Sequence, residues 1–494
     1  MQAHTIQHAE TGQAGHDPHE RRRTVSTTPR EHATLREHID ARPMGLYQIV
    51  IIAIMTYLNA LDGYDVLAMS FTANPVKTDF GLSDTELGFL LSAGLIGMAV
   101  GAITLGPFAD RMGRKRTLVL SLIVNAVGLV ISAVSGSFAL LLVARIITGL
   151  GVGGILACTT VIVSEFSNTK RRGLTISLYA SGYPVGATIG GTLAAWLIEH
   201  ISWHAVFVAG AALTVVAILL VVFVVPESPE QLNTRTDDRS RASLRRIAER
   251  IGYTGEDLGA PKTTTVEQIG YRALVSKRYR GTTIALWISF FAIMFGFYFA
   301  STWTPQMLTD MGMSQQQGIL GGIMLTIGGT IGTLAFGFLT TFWRPRHLLI
   351  VFSVLGAVML TVFILTTGIA TVAFICGVGV GMLINGAIGG LYTIAPAAYG
   401  PKARSTGVGV ALGVGRAGAI LAPILAGAFL DAGATPTQIY IGVSAVVAVA
   451  ALVVWRVREY DPADDAPADS ARDGDGGDAA TGAATESPPA GSRP

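Results

Sequence analysis

Charge is scarce in this chain. Only 14% of its 494 residues are Asp, Glu, Lys or Arg, whereas a soluble domain averages about 25%. With a hydrophobic content of 50% and a mean hydropathy of +0.52, the deficit excludes an ordinary soluble protein. Cysteine is scarcer still. Cys158 and Cys376 lie far apart, each in an apolar run, so no disulfide framework is expected and both thiols read as packing residues. No Gly-x-x-x-x-Gly-Lys-Ser/Thr loop occurs, hence no visible ATP-driven engine. No histidine lies deep in an apolar run. His200, His204 and His347 flank such runs, and the other six fall within the first 43 residues. An intramembrane enzyme would need convergent nucleophiles or metal ligands. No enzyme, cofactor, resident metal or nucleic-acid partner is expected.

What the chain has instead is long apolar segments. Twelve can be read, at 46–71, 87–108, 117–135, 138–163, 173–198, 204–225, 282–302, 317–342, 347–367, 369–397, 404–430 and 437–456. A helix needs about 20 residues to cross the hydrocarbon core. The expectation is an all-α integral membrane protein of twelve transmembrane helices in a lipid bilayer. Its predicted organisation is a disordered tail (1–45), a six-helix half (46–225), a polar connector (226–280), a second six-helix half (281–456) and a disordered acidic tail (457–494). His4/His8 and His16/His19 have spacings a metal could use, but a solvated, low-complexity tail offers no fixed site.

Orientation follows from the basic residues. With both termini inside, the external loops contain only Lys77; Arg145 and Arg416 lie within spans, and the rest of the 35 Lys and Arg are cytoplasmic. No apolar signal-peptide core occurs in the N-terminal tail. The expected location is the inner (plasma) membrane, with both termini cytoplasmic.

The chain also reads as two related halves. Gly151–Ala195, across spans four and five, is similar to Gly381–Ala428, across spans ten and eleven. Each has a Gly-rich helix, a short basic loop and another small-residue helix. Matched halves around a central pathway are a transporter architecture. Any polytopic protein can be Gly-rich, but that does not account for the matched loops.

The acids of span one are the least comfortable residues in the chain. Asp62-Gly63-Tyr64-Asp65 follows the apolar run Met44–Leu61, and an acid at a helix centre costs roughly 2.5–3.5 kcal/mol on insertion scales. Two acids three residues apart share a helix face and so line an internal, watery surface. Buried carboxylates beside each other bind and release protons more readily near neutral pH. Asp62 and Asp65 are thus candidate proton-coupling groups. The alternatives are pairing with a buried arginine or hydration at the outer interface, the latter more natural for Asp65. Arg416, near the midplane of span eleven, presents a fork that fits a carboxylate; it is read either as ligand of an anionic substrate or as an ion-pair partner. Arg145, in span four, reads as a structural or proton-relay group. Trp287, Phe290, Phe291, Phe295, Phe297, Tyr298 and Phe299 crowd span seven, and aromatic faces can pack against another planar ring. Tyr298, Tyr392 and Asn385 are the candidate polar ligands, with Tyr179 and Tyr183 as weaker ones.

Gly106-Pro107-Phe108-Ala109-Asp110-Arg111-Met112-Gly113-Arg114-Lys115-Arg116 bridges spans two and three. The pattern resembles the loop motif of the major facilitator superfamily, and the resemblance implies that fold. In that family the loop gates opening between states. Asp110, Arg111, Gly113 and Arg114 are therefore expected to form a latch, with Glu165 as a partner of its basic residues. The corresponding turn after Gly337 has Thr341 and Phe342 in place of the acid and arginine, leaving Arg344 and Arg346 basic.

Asp62-Gly63-Tyr64-Asp65 is similar to the signature of one branch, the aromatic acid:proton symporters. Ser164-Glu165-Phe166, Pro226-Glu227-Ser228-Pro229-Glu230, Trp303-Thr304-Pro305 and Gly415-Arg416-Ala417-Gly418 also look like that branch. The resemblance spans about residues 46–456 and implies proton-coupled uptake of a small aromatic carboxylate by a monomer. Drug or metabolite:proton antiport is the alternative; sugar or metabolite uptake is the next. Gly182–Gly191 approximates the antiporters' Gly-rich motif, but Gly186 is followed by Ala187 where that motif has proline.

Overall fold

The computed structural model describes residues 34–234, 237–255, 258, 274–276, 279–458 and 460. The His4/His8 and His16/His19 pairs, the acidic C-terminal tail and much of the connector lie outside the described residues.

The described part is built from helices. A short α1 (Leu35–Ala41) precedes α2 (Leu46–Phe71), α3 (Ala73–Phe80), α4 (Asp84–Met112), α5 (Arg114–Ala133), α6 (Phe138–Phe166), α7 (Arg172–His200) and α8 (Trp203–Phe223). The connector contributes α9 (Pro229–Asn233) and α10 (Asp238–Ile251). The second half follows as α11 (Arg280–Asp310), α12 (Gln315–Leu339), α13 (Pro345–Leu365), α14 (Ala370–Ala397), α15 (Pro401–Asp431) and α16 (Pro436–Val454). Twelve of these are long enough to span a bilayer, and eleven are also apolar enough by composition. The exception is α7, rich in Gly, Ser, Thr and Tyr, which packs against α2 and α12.

The two halves repeat the same internal pairings. In the first, α2 packs on α7, α4 on α6, and α5 on both α6 and α8; in the second, α11 packs on α15, α12 on α14, and α13 on both α14 and α16. Even the helix starts match. Ser83 opens α4 with a capping box to Glu86, and Ser314 opens α12 with one to Gln317, each satisfying two otherwise orphaned backbone N–H groups.

Within the tail predicted to be disordered over 1–45, the chain is ordered from Thr34. Thr34 caps α1 in a box with Glu37, and Leu35 and Ile39 are buried. Arg36 donates to the Glu165 carbonyl at 2.8 Å, and Asp40 pairs with Arg172 at 2.8 Å. Two apolar residues four apart and a ring of ion pairs seat this amphipathic turn on the bundle, so order begins before residue 46.

The halves meet most tightly at the end of the bundle away from the termini. There Ser70 donates to the Thr302 carbonyl at 2.7 Å, Asn74 to Gln315 Oε1 at 2.7 Å, and the Asp84 and Thr85 amides to Asp431 at 3.0 and 2.8 Å.

Candidate substrate and proton site

Two glycines bring α2 and α7 together. A Cβ at Gly63 would stand 2.0 Å from the Tyr183 carbonyl oxygen, and one at Gly186 would stand 1.9 Å from the Ala60 carbonyl oxygen. Only a residue without a side chain allows backbones this close. Gly63 is therefore the packing member of Asp62-Gly63-Tyr64-Asp65, and its effect is to set Tyr183 beside Asp62.

The two acids have different surroundings. Asp65 is buried and accepts a 2.8 Å bond from Arg145 Nη1, while Arg145 Nη2 donates to the Asp65 backbone carbonyl at 2.8 Å. The guanidinium also lies over the Phe207 ring, 5.6 Å from its centroid. Of the two alternatives for Asp65, a buried arginine partner or water at the outer interface, the structure has the arginine. Asp62 is equally buried, yet its Oδ1 has no hydrogen-bond partner among the described residues. The Tyr183 hydroxyl is likewise buried and unpaired.

Arg416 faces this pair from α15. Its Nη1 donates to Tyr298 Oη at 3.2 Å and contacts Met98 Sδ at 3.0 Å. Both contacts use one nitrogen, which leaves the other donors of the fork for a ligand. Arg416 is within electrostatic reach of Tyr298, Tyr392, Asp62 and Tyr183. No carboxylate among the described residues forms an ion pair with it. Tyr298 and Tyr392, the candidate ligand tyrosines, are thus brought close to the arginine. Tyr392 is 48% exposed, with Phe290 edge-on at 6.1 Å.

A narrow cavity of about 20 Å³, room for roughly one water, lies between the halves. Leu67 and Tyr183 line it from the first half, and Phe297, Ser301, Thr326 and Asn385 from the second. Asn385 donates to its own helix, at Gly381 O, over 3.0 Å, leaving its carbonyl oxygen for the cavity. The crowd of aromatics in α11 is sorted by this geometry: Phe297 faces the cavity and Phe290 packs on Tyr392, whereas Phe295 and Phe299 line a separate groove against α15 and α16. Tyr179 is bonded to Thr159 at 2.7 Å and serves packing.

Sequence reasoning ranked Tyr183 low and missed Met98. The signal for Tyr183 was present in Gly182-Tyr183-Pro184, since flanking small residues mark a closely packed helix face. Nothing in the pattern around Met98 distinguishes it from a lipid-facing methionine.

The loop between α4 and α5 is differently wired from the expected Asp110/Arg111 latch. Gly113 has φ +112° with Glu227 packed against it, and a Cβ there would stand 2.4 Å from the carboxylate. Glu227 accepts from the backbone amides of Lys115 and Ser228 at 2.9 and 3.1 Å. Arg114 pairs with Glu165, as anticipated for Glu165, and bonds Ser228 Oγ at 3.2 Å. Asp110 is exposed, and its backbone carbonyl accepts from Gln231. The charged junction runs through Arg114 and Glu165 of the first half and Glu227 at the start of the connector.

Two matched six-helix halves around a shared polar cluster define a polytopic membrane transporter. The sequence matches the Major Facilitator Superfamily over residues 52–395, and the chain belongs to that superfamily. It is 32% identical over 413 residues to a gallate transporter of Pseudomonas putida, covering 81% of this chain and 89% of that protein. It is 31% identical over 430 residues to the 4-hydroxybenzoate transporter PcaK of Pseudomonas aeruginosa, covering 86% and 95%. Among solved structures it is similar to the partially occluded, inward open xylose transporter XylE from E. coli, with a TM-score of 0.67 at 18% identity, covering 84% of this chain and 99% of that one. That last likeness shows the fold alone.

Proposed function

We propose that this protein imports a hydroxybenzoate-like aromatic carboxylate across the inner membrane together with a proton, by alternating access. The observation that carries the reading is Arg416, between the halves, with three phenols around it and no ion-pair partner among the described residues. The gallate and 4-hydroxybenzoate transporters among its relatives support the substrate class.

Charge balance supplies the coupling. Arg416 carries one positive charge, which can offset either an ionised Asp62 or a substrate carboxylate. In a low-dielectric site two unscreened negative charges near one cation are costly. Substrate arrival at Arg416 therefore favours a neutral Asp62, and the proton travels with the carboxylate. Asp65 takes no part in this exchange, because Arg145 already neutralises it. The substrate ring would enter from the Tyr392 side, since the cavity between the halves is too narrow here to hold it.

With the termini cytoplasmic, the bonded end of the bundle is external and the molecule faces inward. A cytoplasmic latch is then expected to be open, in keeping with charged contacts that join the first half to the connector. The protein would work as a monomer, with the proton as its coupling ion.

The test is uptake by proteoliposomes under an imposed pH step. Acid-outside accumulation of labelled 4-hydroxybenzoate, gentisate or gallate is the expected result. Glucose accumulation, or efflux alone, overturns the proposal.

A further inference from the structure

Two grooves along α5 meet at a shared lining residue, Ile123. At the terminal end of the bundle, the start of α5, the segment after α8 and the amphipathic α10 enclose a cavity of about 860 Å³. Leu244, Ile247 and Ala248 of α10 are buried against the bundle, so its arginines are turned outward. Lys115, Arg116, Arg239, Arg246 and Arg250 line the cavity, against two acids, Glu227 and Asp237. Both acids are engaged: Glu227 accepts from two backbone amides, and Asp237 caps Ser240 at 3.0 Å. Arg250 lies over the Tyr47 ring at 5.3 Å. Arg116, Arg239 and Arg246 are exposed and have no ion-pair partner among the described residues.

The apolar continuation is what narrows the ligand class. Val119, Leu120 and Ile123 form one wall of the basic cavity. Ile123 is also the first residue of a second groove of about 260 Å³, lined by Ala126, Val127, Val130, Ile131 and Ile218, with no polar surface. From Lys115 to Ile131 is roughly 24 Å along α5 at about 1.5 Å per residue. The apolar part, from Ile123 to Ile131, covers about 12 Å, close to the depth of one leaflet, which is about half of the ~30 Å hydrocarbon core. A free anion would use only the basic end; an anionic amphiphile uses both.

We propose that this groove is a binding site for an anionic phospholipid, its phosphate held by Arg116, Arg239 and Arg246 and one acyl chain lying along α5 against Ile218 of α8. Basic residues at the cytoplasmic surface attract anionic lipid with about 1 kcal/mol each, which is roughly fivefold in binding per arginine removed.

The experiment is native mass spectrometry of the purified full-length protein, offered equal amounts of phosphatidylglycerol and phosphatidylcholine with identical chains. The wild type should retain phosphatidylglycerol preferentially, and R116Q and R246Q should each cut that preference about fivefold, while R246K keeps it. V127W, which fills the apolar groove, should lower retention of both lipids, and glycerol phosphate, the headgroup alone, should not compete. A wild-type preference near one overturns the proposal without recourse to any variant. So does an unchanged preference in both glutamine variants, or displacement of the lipid by glycerol phosphate, which would make this a free-anion site.

Discussion

Arg145 holds Asp65 twice, through its carboxylate and through its backbone carbonyl, each at 2.8 Å. This clamp ties α6 to α2 within the first half, and in the proposed mechanism it leaves the travelling proton to Asp62. Breaking a buried pair by removing one partner costs about 3–5 kcal/mol, because the other charge is left unpaired. Arg145→Gln should therefore lower the thermal unfolding midpoint of the purified protein by several degrees. The double variant Arg145→Met with Asp65→Asn should recover part of that loss. A single variant as stable as the wild type would show that the pair does not hold the fold.

Asp62 is the other half of this division. Its Oδ1 has no partner to lose, so Asp62→Asn should leave folding and membrane insertion intact. In proteoliposomes it should abolish accumulation against a gradient under acid-outside conditions while sparing exchange of labelled for unlabelled substrate. Full accumulation by the variant removes Asp62 from the coupling role.

Arg416 tests the carboxylate. Lysine keeps the charge but not the fork, and a charged hydrogen bond is worth about 1.5–3 kcal/mol. Arg416→Lys should raise KM for 4-hydroxybenzoate by tenfold or more. Unchanged KM in that variant would place the carboxylate elsewhere.

Tyr183 reports on the ring substituent. Its hydroxyl is buried and unpaired beside Asp62, a suitable partner for a phenolic hydroxyl. A neutral hydrogen bond contributes about 0.5–1.5 kcal/mol. Tyr183→Phe should raise KM for 4-hydroxybenzoate about two- to tenfold and leave benzoate unaffected. Equal effects on both substrates would assign Tyr183 to packing.

Gly63→Ala tests the contact that builds the site. The added carbon would meet the Tyr183 carbonyl at 2.0 Å, and overpacking a closed interface costs about 1–3 kcal/mol. The folded, monodisperse yield should fall sharply. Gly173→Ala, where nothing stands within 4 Å, is the control expected to behave as wild type.

Much of the fold was legible because the bilayer simplifies the problem. A backbone in lipid must satisfy its own hydrogen bonds, so length and hydropathy suffice to find spanning helices. The segments read at 138–163 and 369–397 became α6, Phe138–Phe166, and α14, Ala370–Ala397. α1 was not legible, since its stability comes from Arg36 and Asp40 reaching Glu165 and Arg172, partners far away in sequence. The part of Glu227 in the loop wiring was missed for the same reason. Arg114 outranks Asp110 because Glu165 and the segment at Glu227 converge on it from two other parts of the chain.

Local chemistry along the chain specifies a twelve-helix membrane protein in two related halves, with acids and arginines placed where lipid would not tolerate them. Composition, the distribution of Lys and Arg and one loop pattern carry that information locally. Which acid faces which arginine was decided only by the tertiary structure. Asp62 and Asp65 are three residues apart and chemically identical, and helix packing alone separates them. The α6 helix brings Arg145 to Asp65, and the glycine contact between α2 and α7 brings an unpaired tyrosine to Asp62.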